Sequence, residues 1–465
     1  MTDGAVAAER RLWVAAALGA YAALVAFVPA AGVLLALAAL LLAALVCGWL
    51  VVATDRWVAA FFAAALLLPP LPILLGDSGP HSCLLIAALG LLAGLARPRQ
   101  WDIPPDALTG SFLAFFFVLL LGVPLAALYS GPGIAAATLA RVLLFGISLY
   151  VFFYTAYGPG GRDFTRPLFW IAVASALFAC IDFYYQFPAP AGFGPQYIWL
   201  DTGVYRRAQG IFYEASTLGN FCAFFLVLVA VCFAARRDRL PACRPALLAG
   251  GAVLAAALVF SYSRASILNL GVAVAVLVLR GRRPGKLPLA IVAALAAGAA
   301  ASYFLFPAIV RLYWERLWSS AAYFFTYTEG IFSGRLASWR QLARFMLSHP
   351  PDIILGVGYK TLPYSGVAGS PIVADNMYLS LLVETGVVGL AVMLWFNFNI
   401  LRAALRAARY RHPRASFFGS WIFCFWVGQM FQMLSGDLLT FWRVLPVYLW
   451  VLGMAVRFSR ADPVP

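Results

Sequence analysis

The chain has 465 residues, 64% hydrophobic and 11% charged, with a net charge of +15. No water-soluble domain can cover that much apolar surface, so a soluble enzyme or a nucleic-acid-binding protein is excluded and a polytopic membrane protein follows. The positive charge then reads as arginines at cytoplasmic loops and anionic headgroups.

Counting about 20 apolar residues per span, the sequence predicts fourteen transmembrane helices: 12–28, 31–53, 57–75, 82–96, 107–129, 138–157, 167–187, 216–235, 245–262, 265–280, 287–307, 375–401, 415–434 and 438–457. The first begins at Leu12 with no cleavable small-residue site, which reads as an uncleaved span. The expected fold is all-α, with N-terminal helices in 1–187, a first outer loop 188–215, central helices 216–307, a large outer loop 308–374 with short helices of its own, and C-terminal helices 375–465. Seven scattered cysteines and three separated histidines give no metal-ligand spacing and no disulfide framework, so neither a metal nor a cofactor is expected.

Orientation follows from lysines and arginines in short loops. With the N-terminus inside, most of them fall on the cytoplasmic side, including the clusters at 236–244, 280–286 and 402–414. The remainder lie in outer loops or near the outer ends of spans: Arg141, Arg206, Arg207, Arg264, Arg311, Arg316, Arg335, Arg340, Arg344, Lys360 and Arg443. The charge rule does not explain these. Converging guanidinium groups at a membrane edge suit a pyrophosphate, whose oxygens they grip in pairs.

The outer segments, in order, carry the polar chemistry. Asp201–Asn220 reads DTGVYRRAQGIFYEASTLGN, with Gly210 permitting a turn before Glu214 at a helix start. Ser261–Arg264 places an arginine in a turn between two spans. In the large loop, Ser333 is placed to cap a helix on which Arg335, Trp339, Arg340 and Arg344 recur at helical spacing, ended by His349-Pro350-Pro351. Gly356-Val357-Gly358-Tyr359-Lys360 follows as a loop, and Asp375-Asn376 opens the next apolar helix. Glu384 lies about 13 Å along that helix, where a carboxylate must be paired or functional. Asp375 has two readings, a cap for the backbone donors of Met377 and Tyr378, or a general base. Outer aromatics (Tyr205, Phe212, Tyr213, Trp314, Trp318, Tyr359, Tyr364) offer faces on which sugars stack.

Four of these segments, RAQGIFYEASTLGN, FSYSRAS, GRLASW…HPPDIILGVGY and ADNMYLSLLVETGVVGL, resemble the O-antigen ligase and O-antigen polymerase superfamily. The likeness covers roughly residues 200–400, with Ile211 interrupting the family's Arg-x-x-Gly-Phe-type pattern before Phe212. The resemblance implies a bacterial inner-membrane glycosyltransferase acting on the periplasmic face. Its donor would be an undecaprenyl-pyrophosphate-linked oligosaccharide, its acceptor a hydroxyl of a glycan or lipid-linked sugar, and it would use neither a nucleotide sugar nor a metal. It implies that Arg207 and Arg335 hold the donor pyrophosphate, with Arg264 assisting. Arg206, Glu214, Arg340, Tyr359, Lys360, Asn376 and Glu384, from the same outer segments, are secondary candidates. Where the ligases carry a histidine as candidate base this chain has Asp375, which favours a polysaccharide polymerase over a ligase that caps lipid A-core. Expected partners are membrane lipids, a flippase and a chain-length regulator, with no nucleic acid. A transporter is the rival from another class. It should show inverted repeats and midplane polar groups, whereas no repeat is visible and the polar residues gather on the outer side.

Overall fold

The helices begin where the sequence supplies a side-chain acceptor or a proline. In the computed structural model, which describes residues 45–46, 48–49, 56–71, 81–189, 193–200, 203–234, 240–280, 311, 314–315, 335–367 and 369–460, α1 spans Arg56–Leu67, α2 Ser82–Leu95 and α3 Ala107–Ser130. The Asp106 carboxylate accepts from Thr109 N at 2.8 Å and caps α3. At its far end Gly131 turns at φ 90°, and Pro132 starts α4 (Pro132–Ala156) at once. The predicted span 138–157 therefore begins six residues early. Next come α5 (Thr165–Tyr185), α6 (Ala215–Ala234), α7 (Arg244–Phe260) and α8 (Arg264–Arg280). After the predicted spans 12–28, 31–53 and 287–307, which lie outside the described residues apart from positions 45–46 and 48–49, the chain resumes with α9 (Arg335–Ser348), α10 (Asp352–Leu355), α11 (Met377–Arg409), α12 (Pro413–Gln432) and α13 (Leu445–Arg460).

Among the described residues, the regular structure is helical with one exception. The first outer loop contains a hairpin, β1 (Tyr197–Leu200) antiparallel to β2 (Gly203–Arg206), with Tyr197 opposite Arg206. The β-branched and aromatic residues there favour strand over helix. Among the described residues, five helices are long and apolar enough to cross a membrane: α3, α4, α5, α6 and α11. Helices α1, α2 and α7 are apolar but shorter. The predicted 438–457 span is a short 3-10 turn at Leu438–Thr440 and then a helix that starts only at Leu445. Asp437 diverts the chain there by accepting from Leu439 N at 2.8 Å.

Leucines such as Leu85, Leu121, Leu128 and Leu143 stay exposed on the bundle's perimeter, as hydrocarbon contact requires. The interior is aromatic: Phe112, Phe115 and Phe396 pack together, and Phe224 packs between Trp421, Phe425 and Tyr448. A cluster of polar side chains inside is hydrogen-bonded together. Gln432 Oε1 accepts from Asn220 at 2.8 Å and Asn269 at 2.9 Å, its amide donates to Ser266 Oγ at 3.1 Å, and Tyr448 donates to Asn220 at 2.6 Å. This network ties α6, α8, α12 and α13 together where no water is at hand.

The connections predicted to be outside meet at one end of this bundle. Ala208 N donates to Phe260 O, Thr138 to Tyr359 O, Tyr129 to Asp352, and Met377 N to Met433 O. The arginines predicted to be inside meet at the other, where Arg457 donates to the carbonyls of Thr155 and Gly158, and Arg460 pairs with Asp102.

Candidate functional site

Helix α9 supplies the first half of the site. Its positions 335, 339, 342 and 346 recur at helical spacing, so they share one side. Leu342 and Met346, with Phe345, sink into a small core formed with Val357, Leu362, Ile372, Ala374 and Val383. The first turn of the same side carries Arg335 and Trp339. Arg335 Nε donates to Asp375 Oδ2 at 3.0 Å, and Trp339 Nε1 donates to Ala374 O at 2.7 Å. One amphipathic helix thus grips both the backbone and the carboxylate at the mouth of α11.

Asp375 is not the cap of α11. Asn376 is: its side chain accepts from Leu379 N at 3.2 Å. Asp375 sits one residue earlier with φ 46°, a left-handed conformation that cannot open a helix and that aspartate tolerates better than most residues. Its carboxylate, 46% exposed, pairs with a 28% exposed Arg335. Both can reach a ligand.

The GVGYK loop is held by a break in α11. Gly386 adopts φ 69° and ψ −173°, which interrupts the helical bonding and frees the Val383 and Glu384 carbonyls. They accept from Val357 N at 3.2 Å and Gly358 N at 2.9 Å. The Glu384 carboxylate accepts from Leu362 N at 3.3 Å through Oε1, while Oε2 is buried without a hydrogen-bond partner among the described residues. On the other side the loop lies on α3, so close that a Cβ at Gly122 would stand 2.8 Å from Tyr359 N. Glu384 therefore anchors the loop. Tyr359 is fully buried and its carbonyl takes the Thr138 hydroxyl, so neither residue offers its side chain to a ligand.

Lys360, set at φ 58° by this loop, reaches Asp437 at 2.5 Å. Burial opposes its charge, but the Asp437 and Glu384 carboxylates outweigh that and hold its pKa above the ordinary lysine value. Glu214 accepts from Thr217 Oγ1 at 2.5 Å, and burial pushes its pKa up, against the opposing pull of Lys360 and Arg207. Asp437 is the residue that sequence reasoning missed. Its signal was a carboxylate among only 18 acidic residues, in an outer turn opposite a lysine-bearing loop.

Arg207 donates from Nε to Ser261 O at 2.9 Å, which docks the first outer loop on the α7–α8 turn. Arg264, three residues past that carbonyl, lies close enough to Arg335 for their like charges to interact. Arg207 is thus bound to the same turn as Arg264, and Arg264 lies within electrostatic reach of Arg335. Arg206 is turned away and pairs with Asp182 at 3.6 Å. Arg340 is exposed on α9. Arg443 is buried and structural: it donates to the carbonyls of Ala65, Leu68 and Ile211 and lies over Phe212, so that ring is covered too. Ser333, Arg316 and Trp318 lie outside the described residues.

The fold and this cluster define a polytopic membrane protein whose arginines and carboxylates converge at one end of a helical bundle, an arrangement suited to an anionic substrate presented from the bilayer. Residues 249–394 match the family model described as O-Antigen ligase. The matched segment takes in Arg264, Arg335, Lys360, Asp375 and Glu384 and leaves Arg207, Glu214 and Asp437 outside it. No match was found among curated proteins.

Proposed function

We propose that the protein is a glycosyltransferase of the bacterial inner membrane. It moves a glycan from undecaprenyl pyrophosphate to a sugar hydroxyl on the periplasmic face and polymerises O-antigen or exopolysaccharide repeat units. The observation that carries this reading is the Arg335–Asp375 pair, exposed at the mouth of α11 beside Arg264 within the family-matched segment. In this reading the loops 188–215 and 308–374 are periplasmic and both termini are cytoplasmic. The donor lipid, glycan acceptor, flippase and chain-length regulator are its working partners.

The chemistry follows from the donor. The acceptor oxygen attacks the anomeric carbon, the bond from that carbon to the pyrophosphate oxygen breaks, and undecaprenyl pyrophosphate leaves with the bonding pair. Pyrophosphate needs no proton to depart, so Arg207, Arg264 and Arg335 serve by stabilising the charge that develops on it. The acceptor hydroxyl is a weak nucleophile, and Asp375 takes its proton as attack proceeds. Glu214 and the Lys360–Asp437 pair flank this site, and Asp437 holds the loop that carries Lys360.

The test is purified protein with lipid-linked repeat units and lipid A-core as the alternative acceptor, no nucleotide sugar, and EDTA present. A ladder of lengthening lipid-linked glycans is expected. Transfer only to lipid A-core, with no lengthening, would make the protein a ligase instead. No transfer to either acceptor by a folded preparation would overturn the reading.

A further inference from the structure

We propose that Trp339 is the positioning residue for the Asp375 carboxylate, an inference that rests on the base role given to Asp375 above. The peptide plane between Ala374 and Asp375 sets the direction in which the Asp375 side chain leaves the backbone. The Trp339 indole holds that plane by its carbonyl, at 2.7 Å. On the far side, Asn376 caps α11 and Met377 N is bonded to Met433 O at 2.9 Å. Between these fixed points Asp375 keeps φ 46°, a conformation that extended or helical backbone would readily replace.

Two contacts act on Asp375, and they differ in what a donor does to them. The Arg335 bond to the carboxylate joins two solvent-accessible groups, and a pyrophosphate competes for the same guanidinium. The Trp339 bond joins a neutral N–H to a backbone carbonyl, so a phosphate gains far less by competing for it than for a guanidinium. Once the donor draws Arg335 away, the carboxylate is released as an acceptor for a proton, and the indole is what keeps it aimed. Helix α9 does not need that bond to dock, because Leu342, Phe345 and Met346 bury its later turns.

Trp339→Phe keeps an aromatic ring and loses the N–H. At saturating donor it should slow single-turnover transfer about 10- to 100-fold, the cost of a misaimed group. Binding of undecaprenyl pyrophosphate and the thermal midpoint should stay at parental values. Trp339→His, which keeps a ring N–H, should recover part of the rate. In an Asp375→Asn background the Phe substitution should cost nothing more, since a residue acting only through Asp375 has nothing left to position. Parental rates for Trp339→Phe alongside a slow Asp375→Asn would overturn the positioning role and leave the base role standing. Equal losses in both backgrounds would overturn it as well, in favour of a structural tryptophan. A fully active Asp375→Asn would remove the base role itself, and the positioning role with it.

Discussion

Replacing Gly386 with alanine tests whether the broken helix builds the site. The residue holds φ 69° and ψ −173°, a combination that side-chain-bearing residues hardly adopt, and forcing alanine into it costs about 1–3 kcal/mol. The new Cβ would also stand 2.6 Å from Leu355 N and closer still to the Ile354 carbonyl, all of it backbone that cannot rotate aside. Relief requires α10 to move off α11, which gives up the Val357–Val383 and Gly358–Glu384 bonds at about 0.5–1.5 kcal/mol each. The total is about 2–6 kcal/mol, a large share of a typical folding free energy. Limited trypsinolysis of detergent-purified protein, read by mass, gives a local measure: Lys360 is sheltered by Asp437, and cleavage after it should accelerate in Gly386→Ala. Gly369→Ala is the control, because that glycine also has a positive φ, 92°, but nothing stands within 4 Å of its Cβ position. A Gly386→Ala protein as resistant at Lys360 and as thermostable as its parent would refute the reasoning.

Other outcomes follow from the same contacts. Arg335→Ala should accumulate normally, since its ion pair is exposed and contributes little to stability. Its transfer rate should nonetheless fall about 10- to 150-fold, the equivalent of one charge-assisted phosphate contact, and lysine should restore little of it. Glu214 has a pKa raised above the ordinary 4.5 by burial, so the stability tied to its protonated form is complete below that value and is lost as pH rises through the folded-state value. The thermal midpoint of Glu214→Gln should therefore match the parent's in acid and exceed it at pH 8; a midpoint below the parent's at pH 8 would contradict this. For orientation, a membrane-impermeant thiol reagent should label Ala337→Cys and Ser370→Cys in cells with only the outer membrane opened. The native exposed Cys243 should react only after lysis, and the reverse pattern would invert the topology.

How far the sequence carries depends on whether a feature is local. Helix positions were legible because about 20 apolar residues bounded by Asp106 or Gly131-Pro132 leave the chain few alternatives. The gathering of the outer segments at one end followed from the alternation of spans. Asp375 and Asn376 are both good caps by residue type, and only the α9 contacts, 35 and 40 residues away in sequence, decide that Asp375 stays outside the helix. The break at Gly386 was hidden for a similar reason. Glu384-Thr385-Gly386 inside an apolar run reads as continuous helix, and the donors that take up the freed carbonyls come from a loop that begins about thirty residues earlier. Glu384 and Asn376 accept from backbone donors and Tyr359 is buried in the core, and the Glu384 and Tyr359 contacts join segments far apart in sequence or lie inside the packing. Asp437 was overlooked because a carboxylate in a short turn has an ordinary reading as a cap, and it is a cap as well as the partner of Lys360.

The central claim is that arginines hold the donor while Asp375 takes the acceptor's proton. Single-turnover release of undecaprenyl pyrophosphate by Asp375→Asn tests it most directly, because Asn376 supplies the cap and the substitution leaves the helix start intact. Donor affinity should be at least the parent's, since a competitor for the Arg335 guanidinium is weakened, and the transfer rate should be lower by about 10²–10⁴. Transfer at the parental rate with the donor still bound would contradict the claim.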